Sequence, residues 1–418
     1  MLQLALPSEN PSIRLTEAVS PLLFSHFTAT SCLGAGLDAT LAALRAQRGG
    51  LAPCRFGDVA LDTYVGEVPG LDAVSLPAAL AEFDCRNNRL AQLALEQDGF
   101  AARVRAAAAR YGAHRIGVFL GTSTAGVLQT ELGYRRRDPA SGALPPDFHY
   151  GGTHNPYSLP AFLRQQLGLA GPAAAVSSAC SSGAKVFSSA RRMLEAGLID
   201  AAVVGGVDSL CHTTLYGFNA LELLSRQPCR PCDVARNGIS IGEGAVFGLL
   251  ERVTGTLAGD AILLAGIGES SDAHHMSTPH PQGLGARMAM AQALAGAGIA
   301  PAQVGYVNLH GTATRSNDAA EALAMAAVLP GTPCSSTKGA TGHALGAAGA
   351  LEAVICALAL RHGLVPAGIN TTQVDPALDV NYQLANQDAD LRYAMSNAFG
   401  FGGSNCSLLF ARADAVSH

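Results

Sequence analysis

The sequence predicts an α/β fold with mostly parallel strands, and three observations lead to that class. Short apolar segments typical of strands alternate along the chain with longer segments of helical composition. Of the 418 residues, 49% are hydrophobic and only 14% are charged, so the chain must bury a large core, and obligate oligomerisation would help to explain this balance. Segments in the first half of the chain also resemble segments in the second half, which suggests a duplicated architecture.

The individual elements are predicted from apolar runs and from the glycines and prolines that flank them. The candidate strands are Ile116–Leu120, Ala201–Val204, Val246–Leu250 and Gly305–Leu309. The candidate helices are Leu37–Arg48, Asn88–Leu95, Phe100–Tyr111, Ser182–Ala196, Gly285–Ala295 and Asp318–Ala327. No low-complexity linker divides the chain, whose length suits one large domain or a few ordinary ones.

Two internal matches indicate the duplication. The segments Ile116–Thr124 and Val307–Thr314 both run from a strand into a turn that contains Gly-Thr. The segments Ser177–Cys180 and Ser335–Lys338 both end a strand just before a helix of small residues. Together the two matches predict two similar halves that meet at a shared site.

Charge and hydropathy exclude several classes of protein. The net charge is −5 and there is no long basic run, which argues against general nucleic-acid binding. Glu9 and Arg14 arrive too early for a secretory signal. The longest apolar segment, Ala353–Leu360, is far shorter than the roughly 20 residues that span a bilayer. We therefore expect a cytoplasmic protein with no membrane segment.

The ten cysteines are scattered singly, which is typical of reduced thiols in a chain of this length. The exception is the pair Cys229 and Cys232, whose CxxC spacing is found in redox and zinc sites, with Cys211 and His212 as conceivable further ligands. No second CxxC follows, and the neighbouring prolines favour a surface turn. The role of this pair stays open.

Cys180 is the most informative residue of the chain. It follows the short apolar strand Ala173–Val176 and precedes the helix that begins near Ser182. A cysteine at a strand-to-helix turn meets free backbone N–H groups and the positive end of the helix dipole. We therefore expect the pKa of Cys180 to be lowered and the residue to act as a nucleophile, although a packed core cysteine would have the same local sequence.

Three further segments carry residues suited to chemistry. His310 ends a strand and is followed by Gly-Thr, and His343 follows Thr-Gly. Lys338 stands out because Lys185 is the only other lysine, so a compact ammonium rather than a guanidinium is needed there. The third segment is the glycine-rich run Asn397–Asn405.

Other interpretations of these segments are weaker. The run Phe399–Gly403 is not followed by the GK[ST] of a phosphate-binding loop, and Gly34-Ala35-Gly36 lacks the third glycine of a dinucleotide loop. His274, His275 and His280 are spaced too irregularly around a proline for a metal site, so they are expected to line a cleft.

These motifs resemble those of β-ketoacyl-[acyl-carrier-protein] synthases of the elongating, Cys-His-His type. The resemblance runs from about Leu22 to Leu409 and rests on the order of four segments, namely Ser178–Gly183, His310–Thr314, Lys338–His343 and Gly400–Gly403. It implies a thiolase-like five-layer αβαβα sandwich of two pseudo-repeated halves. The first half would be residues 1–255 with the nucleophile, and the second residues 256–418 with both histidines.

The resemblance also assigns roles to single residues. Cys180 would take the acyl group from a carrier-protein thioester, with the N–H groups of Cys180 and Phe401 as the oxyanion hole. His310 and His343 would hold the malonyl carbonyl and stabilise the enolate formed as carbon dioxide leaves. Lys338 would tune both histidines.

Further residues are expected to support or line the site. Glu352 would pair with Lys338, and Asp318 and Glu321 would brace the loop of His310. Thr312 and Thr314 would bind the pantetheine arm.

Two residues are expected at the substrate. Phe399 would contact it, and Thr124 stands where the family often has a bulky apolar residue that closes the acyl pocket. A buried threonine hydroxyl is most simply explained by a bond to a neighbouring backbone carbonyl.

The implied partner is acyl carrier protein, and the implied assembly is a homodimer or a heterodimer with a related subunit. No metal and no cofactor is implied. A non-decarboxylating thiolase and a starter-condensing Cys-His-Asn enzyme fit less well because of His343, and a non-catalytic chain-length factor fits less well because Cys180 is present. Fatty-acid synthesis and a polyketide or aryl-polyene pathway both stay open.

Overall fold

A computed structural model describes residues 20–416, and the N-terminal residues that bear on a secretory signal lie outside this range. The strands are β1 Leu22–Ser31, β2 Gly34–Ala35, β3 Ala52–Pro53, β4 Tyr64–Gly66, β5 Ile116–Gly121, β6 Ala173–Val176, β7 Ala201–Asp208, β8 Ile241–Gly242, β9 Gly244–Arg252, β10 Ile262–Ser271, β11 Tyr306–Asn308, β12 Pro333–Ser335, β13 Leu364–Val365, β14 Asn381–Tyr382, β15 Gln387–Asp388, β16 Tyr393–Gly400 and β17 Ser404–Arg412. The α-helices are α1 Leu37–Arg45, α2 Arg86–Leu95, α3 Phe100–Tyr111, α4 Val127–Arg135, α5 Ser158–Leu167, α6 Ser182–Glu195, α7 His212–Ala220, α8 Leu284–Ala297, α9 Arg315–Val328, α10 Lys338–Thr341 and α11 Ala348–His362.

The two halves of the chain build sheets of the same design. In the first half the strand order is β1-β9-β7-β5-β6, and in the second half it is β10-β17-β16-β11-β12. In each half the first two neighbouring pairs are antiparallel and the last two are parallel. Even the irregularities correspond, because β1 has a register shift between Phe24 and His26 and β10 has one between Leu264 and Gly266. We propose, on the basis of this repetition, that the chain divides into residues 1–255 and 256–418.

The expectation of mostly parallel strands is wrong. Antiparallel pairs are the majority, and they join β7, β9, β1, β10, β17 and β16 in the middle of the sheet. Strand β17 follows β16 through the short turn Phe401–Gly403 without an intervening α-helix, so no crossover connection forces this pair to be parallel.

The elements stack in five layers, as the thiolase-like fold requires. Helices α6 and α11 form the central layer between the two sheets, within a core that includes Phe24, Phe187 and Phe410. Helices α2, α3 and α5 cover the outer face of the first sheet, and α8 and α9 cover that of the second. The central helices approach closely because Gly349 faces Ala184, where an added Cβ would lie 2.9 Å from the alanine Cβ.

One helical segment, Leu345–His362, is long and apolar enough to cross a membrane by length and composition. It is 89% buried inside the fold and contains the central helix α11. Its apolar composition is therefore explained by packing between the two sheets.

Candidate active site

Cys180 lies in a sharp turn between β6 and α6. The turn requires a positive φ of 51° at Ala179 and is held by the Ser182 hydroxyl, which donates to the Ala179 carbonyl at 2.6 Å and accepts the Ser178 N–H at 2.9 Å. The turn places Cys180 at the start of the central helix, where it is only 6% exposed. A strained and well-supported backbone of this kind fixes a side chain in one orientation.

The two predicted histidines meet Cys180 at this point, although they lie more than a hundred residues further along the chain. His343 Nε2 is 3.0 Å from Cys180 Sγ, and the rings of His310 and His343 are 5.4 Å apart at nearly a right angle. The sulfur and one nitrogen of each histidine all lie within 4.8 Å of one another. His310 reaches this position from the end of β11, and His343 from the loop after α10.

The expected lowering of the Cys180 pKa is wrong. Burial raises the pKa of the thiol to about 11, although Lys338 and the backbone N–H groups of Phe401 and Cys180 act in the opposite direction. The helix N-terminus and its N–H groups do stabilise the thiolate, but the free-energy cost of removing a buried thiolate from water is larger. The thiol is therefore protonated at neutral pH and needs a base. His343 Nε2 is placed to accept its proton, although burial holds the pKa of that ring below its ordinary value.

Lys338 lies directly behind the histidines and is 1% exposed. Its Nζ donates to the His310 carbonyl at 2.6 Å, lies 3.5 Å from His310 Nδ1, and is paired with the Glu352 carboxylate. Burial and then Lys338 hold the pKa of both His310 and His343 well below its ordinary value. An ammonium beside Nδ1 makes that nitrogen an acceptor, so the neutral His310 ring presents Nε2–H to the site.

Glu321 and Asp318, on α9, support the loop of His310. The Glu321 carboxylate accepts the N–H groups of His310 and Gly311, both at 2.8 Å, and burial raises its pKa to about 7. Asp318 accepts the N–H of Cys232 at 2.8 Å. The Glu321 contacts therefore fix the backbone of the His310 turn, whereas the Asp318 contact ties α9 to the segment of Cys232.

The sulfur opens into a narrow cleft of about 50 Å³. Phe399, Phe401, Thr312 and Thr314 all line it, and the two threonine hydroxyls are 2.9 Å apart. The backbone N–H groups of Phe401 and Cys180 both act on the Cys180 sulfur, and their assignment to an oxyanion hole stays a prediction. The lining of the cleft combines aromatic rings with hydroxyl groups.

Thr124 lies elsewhere. It is 1% exposed, is not among the residues that line the cleft, and its hydroxyl donates to Asp208 Oδ1 at 2.8 Å rather than to a backbone carbonyl as expected. Its assignment to the acyl pocket stays a prediction.

Two other predictions from the sequence differ from what the structure shows. The pair Cys229 and Cys232 is buried and not a surface turn, and the Cys229 thiol donates to the Lys338 carbonyl at 3.2 Å. The segment packs against α10, because Asn370 donates to the carbonyls of both Cys229 and Gly339. The three histidines 274, 275 and 280 are also not among the cleft-lining residues, although their neighbours Ser277, Thr278 and Pro279 are.

Sequence reasoning missed several residues that build the site. Asp208, at the end of β7, accepts N–H groups from Ser123, Thr124 and Gly346, and so joins the first half to the segment after His343. Asn397 donates to Glu321 at 3.2 Å. One signal in the sequence could have identified Asp208. It is a carboxylate at the end of an apolar strand, and a carboxylate that is buried there needs hydrogen-bond partners.

The raised thiol pKa predicts a pH profile for alkylation. The rate at which iodoacetamide modifies Cys180 should rise roughly tenfold per pH unit between about pH 7 and pH 9, because the thiolate fraction is still small there. Peptide mass spectrometry after timed quenching measures it at Cys180 alone, with the partly exposed Cys54 as internal reference. A rate that is already constant below about pH 8 would mean that the thiol is ionised at neutral pH.

Comparison with known proteins agrees with this geometry. The family model "Beta-ketoacyl synthase, N-terminal domain" matches residues 86–255, and "Beta-ketoacyl synthase, C-terminal domain" matches residues 254–372. Together the two models account for more than half of the chain.

Among curated relatives, the mitochondrial 3-oxoacyl-[acyl-carrier-protein] synthase of Arabidopsis thaliana is 41% identical over 263 residues, which is 58% of this chain and 57% of that protein. The 3-oxoacyl-[acyl-carrier-protein] synthase 2 of Staphylococcus aureus (strain COL) is 34% identical over 322 residues, 72% of this chain and 76% of that one. The match thus spans just over half of the plant protein.

Among solved structures, the ketosynthase ApeO of Xenorhabdus doucetiae, in complex with its chain length factor ApeC, superimposes with a TM-score of 0.84. It is 37% identical and the match covers 94% of this chain and 98% of that one. With both family models matched, a relative at 34% identity over most of the chain and the Cys-His-His site in place, the chain belongs to the β-ketoacyl synthase family.

Proposed function

We propose that the chain catalyses a decarboxylative Claisen condensation, in which an acyl group on Cys180 is joined to malonyl-acyl carrier protein to give 3-oxoacyl-acyl carrier protein. The observation that carries this proposal is the convergence of Cys180, His310 and His343 over the buried Lys338. A thiol, a base beside it and a second ring that presents N–H are what the two half-reactions require.

In the first half-reaction, the Cys180 sulfur attacks the thioester carbonyl of the acyl carrier protein. The thiol proton passes to His343 Nε2, 3.0 Å away, and from there to the sulfur of the departing carrier. The negative charge on the carbonyl oxygen is stabilised by the N–H groups of Cys180 and Phe401. The products are an acyl-Cys180 thioester and the free carrier thiol.

In the second half-reaction, the malonyl thioester carbonyl accepts a hydrogen bond from His310 Nε2–H. Once Cys180 is acylated it no longer offers a proton to His343, and this ring takes the tautomer with its proton on Nε2 and donates to the same oxygen. Nδ1 of His343 has no hydrogen-bond partner among the described residues, so no contact holds the proton there. Loss of carbon dioxide leaves an enolate, which both donors stabilise and which attacks acyl-Cys180. Collapse of the adduct breaks its bond to sulfur, releases the 3-oxoacyl carrier and leaves the Cys180 thiolate, which takes up one proton from solvent to restore the thiol.

Intact-mass spectrometry tests the proposal. Incubation with a panel of acyl carrier proteins should add the mass of the acyl group to Cys180, and subsequent malonyl-acyl carrier protein should remove it and yield the 3-oxoacyl carrier. An acylated protein that never releases a product with malonyl carrier would contradict the condensation, and the absence of any acylation across the panel would contradict the whole proposal.

A second candidate is the ketosynthase of a polyketide or aryl-polyene pathway that acts with a chain-length factor. It is favoured by the solved ApeO ketosynthase, which matches this chain over 98% of its length and is in complex with such a factor. The edge strand β6 supports pairing with some partner, because Ala173–Val176 are apolar, partly exposed and paired only with β5 among the described strands. Light scattering of the purified chain distinguishes a homodimer from a chain that needs a different subunit.

We further propose a cytoplasmic location. All ten cysteines lie within residues 20–416, and none forms a disulfide there. Reduced thiols in this number are typical of a reducing compartment.

Thr124 provides a test of the acyl chain that is accepted. If Thr124 closes the acyl pocket at a subunit interface, Thr124→Phe should block acylation of Cys180 by long chains and spare short ones. Thr124→Val is the matched control, because it removes only the hydroxyl that donates to Asp208. Acylation rates for short and long acyl carriers, measured side by side, should fall to the same extent in Thr124→Phe if the residue is merely part of the buried Asp208 network.

A further inference from the structure

The reactive centre has the donor set of a metal site. One thiol and two imidazoles, all with ligand atoms within 4.8 Å, are the combination that binds zinc and cobalt in proteins, and a fourth position would face the cleft. All three residues are buried, so they are held in place without competition from bulk water. Such a centre is at risk of capture by a thiophilic divalent cation.

Lys338 opposes that capture in two ways. Its ammonium lies 3.5 Å from His310 Nδ1, so it places a positive charge next to the position that a dication would take. The same contact controls the ring proton. For His310 to bind a metal through Nε2, its proton would have to sit on Nδ1 and face the ammonium. Among charged groups, Lys338 also acts on Cys180 more strongly than Glu352 does.

We propose that Lys338 keeps the Cys180-His310-His343 triad free of thiophilic divalent metal ions, and that the triad becomes a metal site when this charge is removed. Binding would replace the thiol proton by the metal, so that Cys180 Sγ–H gives a sulfur–metal bond and one proton is released to solvent, with no change of oxidation state. This inference rests on the proposed function only in that the triad is the reactive centre. It accounts for a lysine at this position in a chain that otherwise uses arginine at every positive position except Lys185.

Cobalt(II) is the probe, because a thiolate bound to it gives a charge-transfer band in the near ultraviolet. Lys338→Met combined with Glu352→Gln removes both charges of the buried pair, a type of replacement that is often tolerated. With this variant we expect a band that saturates at one equivalent of cobalt and a dissociation constant at least about tenfold lower than in the wild type, because the repulsion at short range is lost.

Three control variants test whether cobalt binding depends on the charge of Lys338, on the loss of any lysine, or on a site other than the triad. Lys338→Arg keeps the positive charge and should bind no better than the wild type. Lys185→Met removes the other lysine, which lies on α6 and pairs with Glu269 on β10. This variant should have the same cobalt dissociation constant as the wild type. Adding Cys180→Ala to the double variant should abolish the band, since the thiolate ligand is gone.

The wild type can overturn the inference, because a cobalt band that saturates there at the same cobalt concentration as in the double variant would show that Lys338 does not protect the triad. A double variant that is folded by circular dichroism but gives no band would show that the three groups are not a metal site. Neither measurement uses substrate, so a failure of the condensation proposal would appear as missing acylation by mass spectrometry while the cobalt result stands by itself.

Discussion

Cys180→Ala is expected to abolish acyl transfer, with the rate of 3-oxoacyl product falling by at least about four orders of magnitude, as for other nucleophile deletions. The reason is that the other thiols lie outside the centre: Cys180 is the cysteine whose sulfur lies beside His343 and opens into the cleft. The rate of product formation measures the loss of condensation. The mass of the protein after incubation with acyl carrier protein measures the loss of acylation.

Cys180→Gln gives the complementary result. An amide in place of the sulfur resembles the acylated state, so this variant should still decarboxylate malonyl carrier protein while forming no condensation product. Release of carbon dioxide is the readout, and Cys54→Ala, a partly exposed cysteine away from the cleft, is the matched control. Covalent acylation of Cys180→Ala at the wild-type rate would disprove the assignment of the nucleophile.

The local part of the fold could be predicted well from the sequence. Helix α3 was expected at Phe100–Tyr111 and has those bounds, and α6 differs by one residue from the expected Ser182–Ala196. Both helices end at a glycine that prevents continuation, Gly112 and Gly197, so the signal lies within a few residues of the element itself.

Strand direction could not be predicted in the same way. Strands β9 and β17 contain apolar runs that fit a parallel or an antiparallel neighbour equally well, since either can be buried on both faces. Their direction follows from the strands they pair with in the folded molecule, and β1 and β10, one partner of each, lie more than a hundred residues before them in the chain. The duplicated motifs indicated two halves, but not that the strands next to the junction turn antiparallel.

At the candidate site, the residues could be predicted from the sequence but their surroundings could not. The residue types Cys180, His310, His343 and Lys338 could be selected from their local motifs. The pKa of Cys180 could not, because it depends on how completely the folded chain buries the thiol, and this outweighs the helix terminus that the local sequence reveals. The Asp208 network was hidden for the same reason, since its partners lie 84 to 138 residues away.

The two histidines are expected to differ when each is replaced by alanine. His310→Ala should acylate Cys180 at close to the wild-type rate but lose condensation by about 10²–10³-fold, because the ring whose Nδ1 faces Lys338 supplies the N–H to the malonyl carbonyl. His343→Ala should lose condensation too, and in addition slow acylation by about 10²-fold or more, because it removes the base 3.0 Å from a thiol whose pKa is about 11.

Single-turnover acylation followed by intact mass, and then chase with malonyl carrier protein, separates the two steps for each variant. The loss of acylation in His343→Ala should diminish at higher pH, since hydroxide can then form the thiolate that His343 otherwise provides, whereas the condensation defect of His310→Ala should not recover in that way. Equal acylation rates in the two variants across this pH range would show that His343 is not the base, and wild-type product formation by either variant would remove its proposed role. The comparison therefore assigns the proton transfer to one ring and the carbonyl contact to the other by their response to pH as well as by their rates.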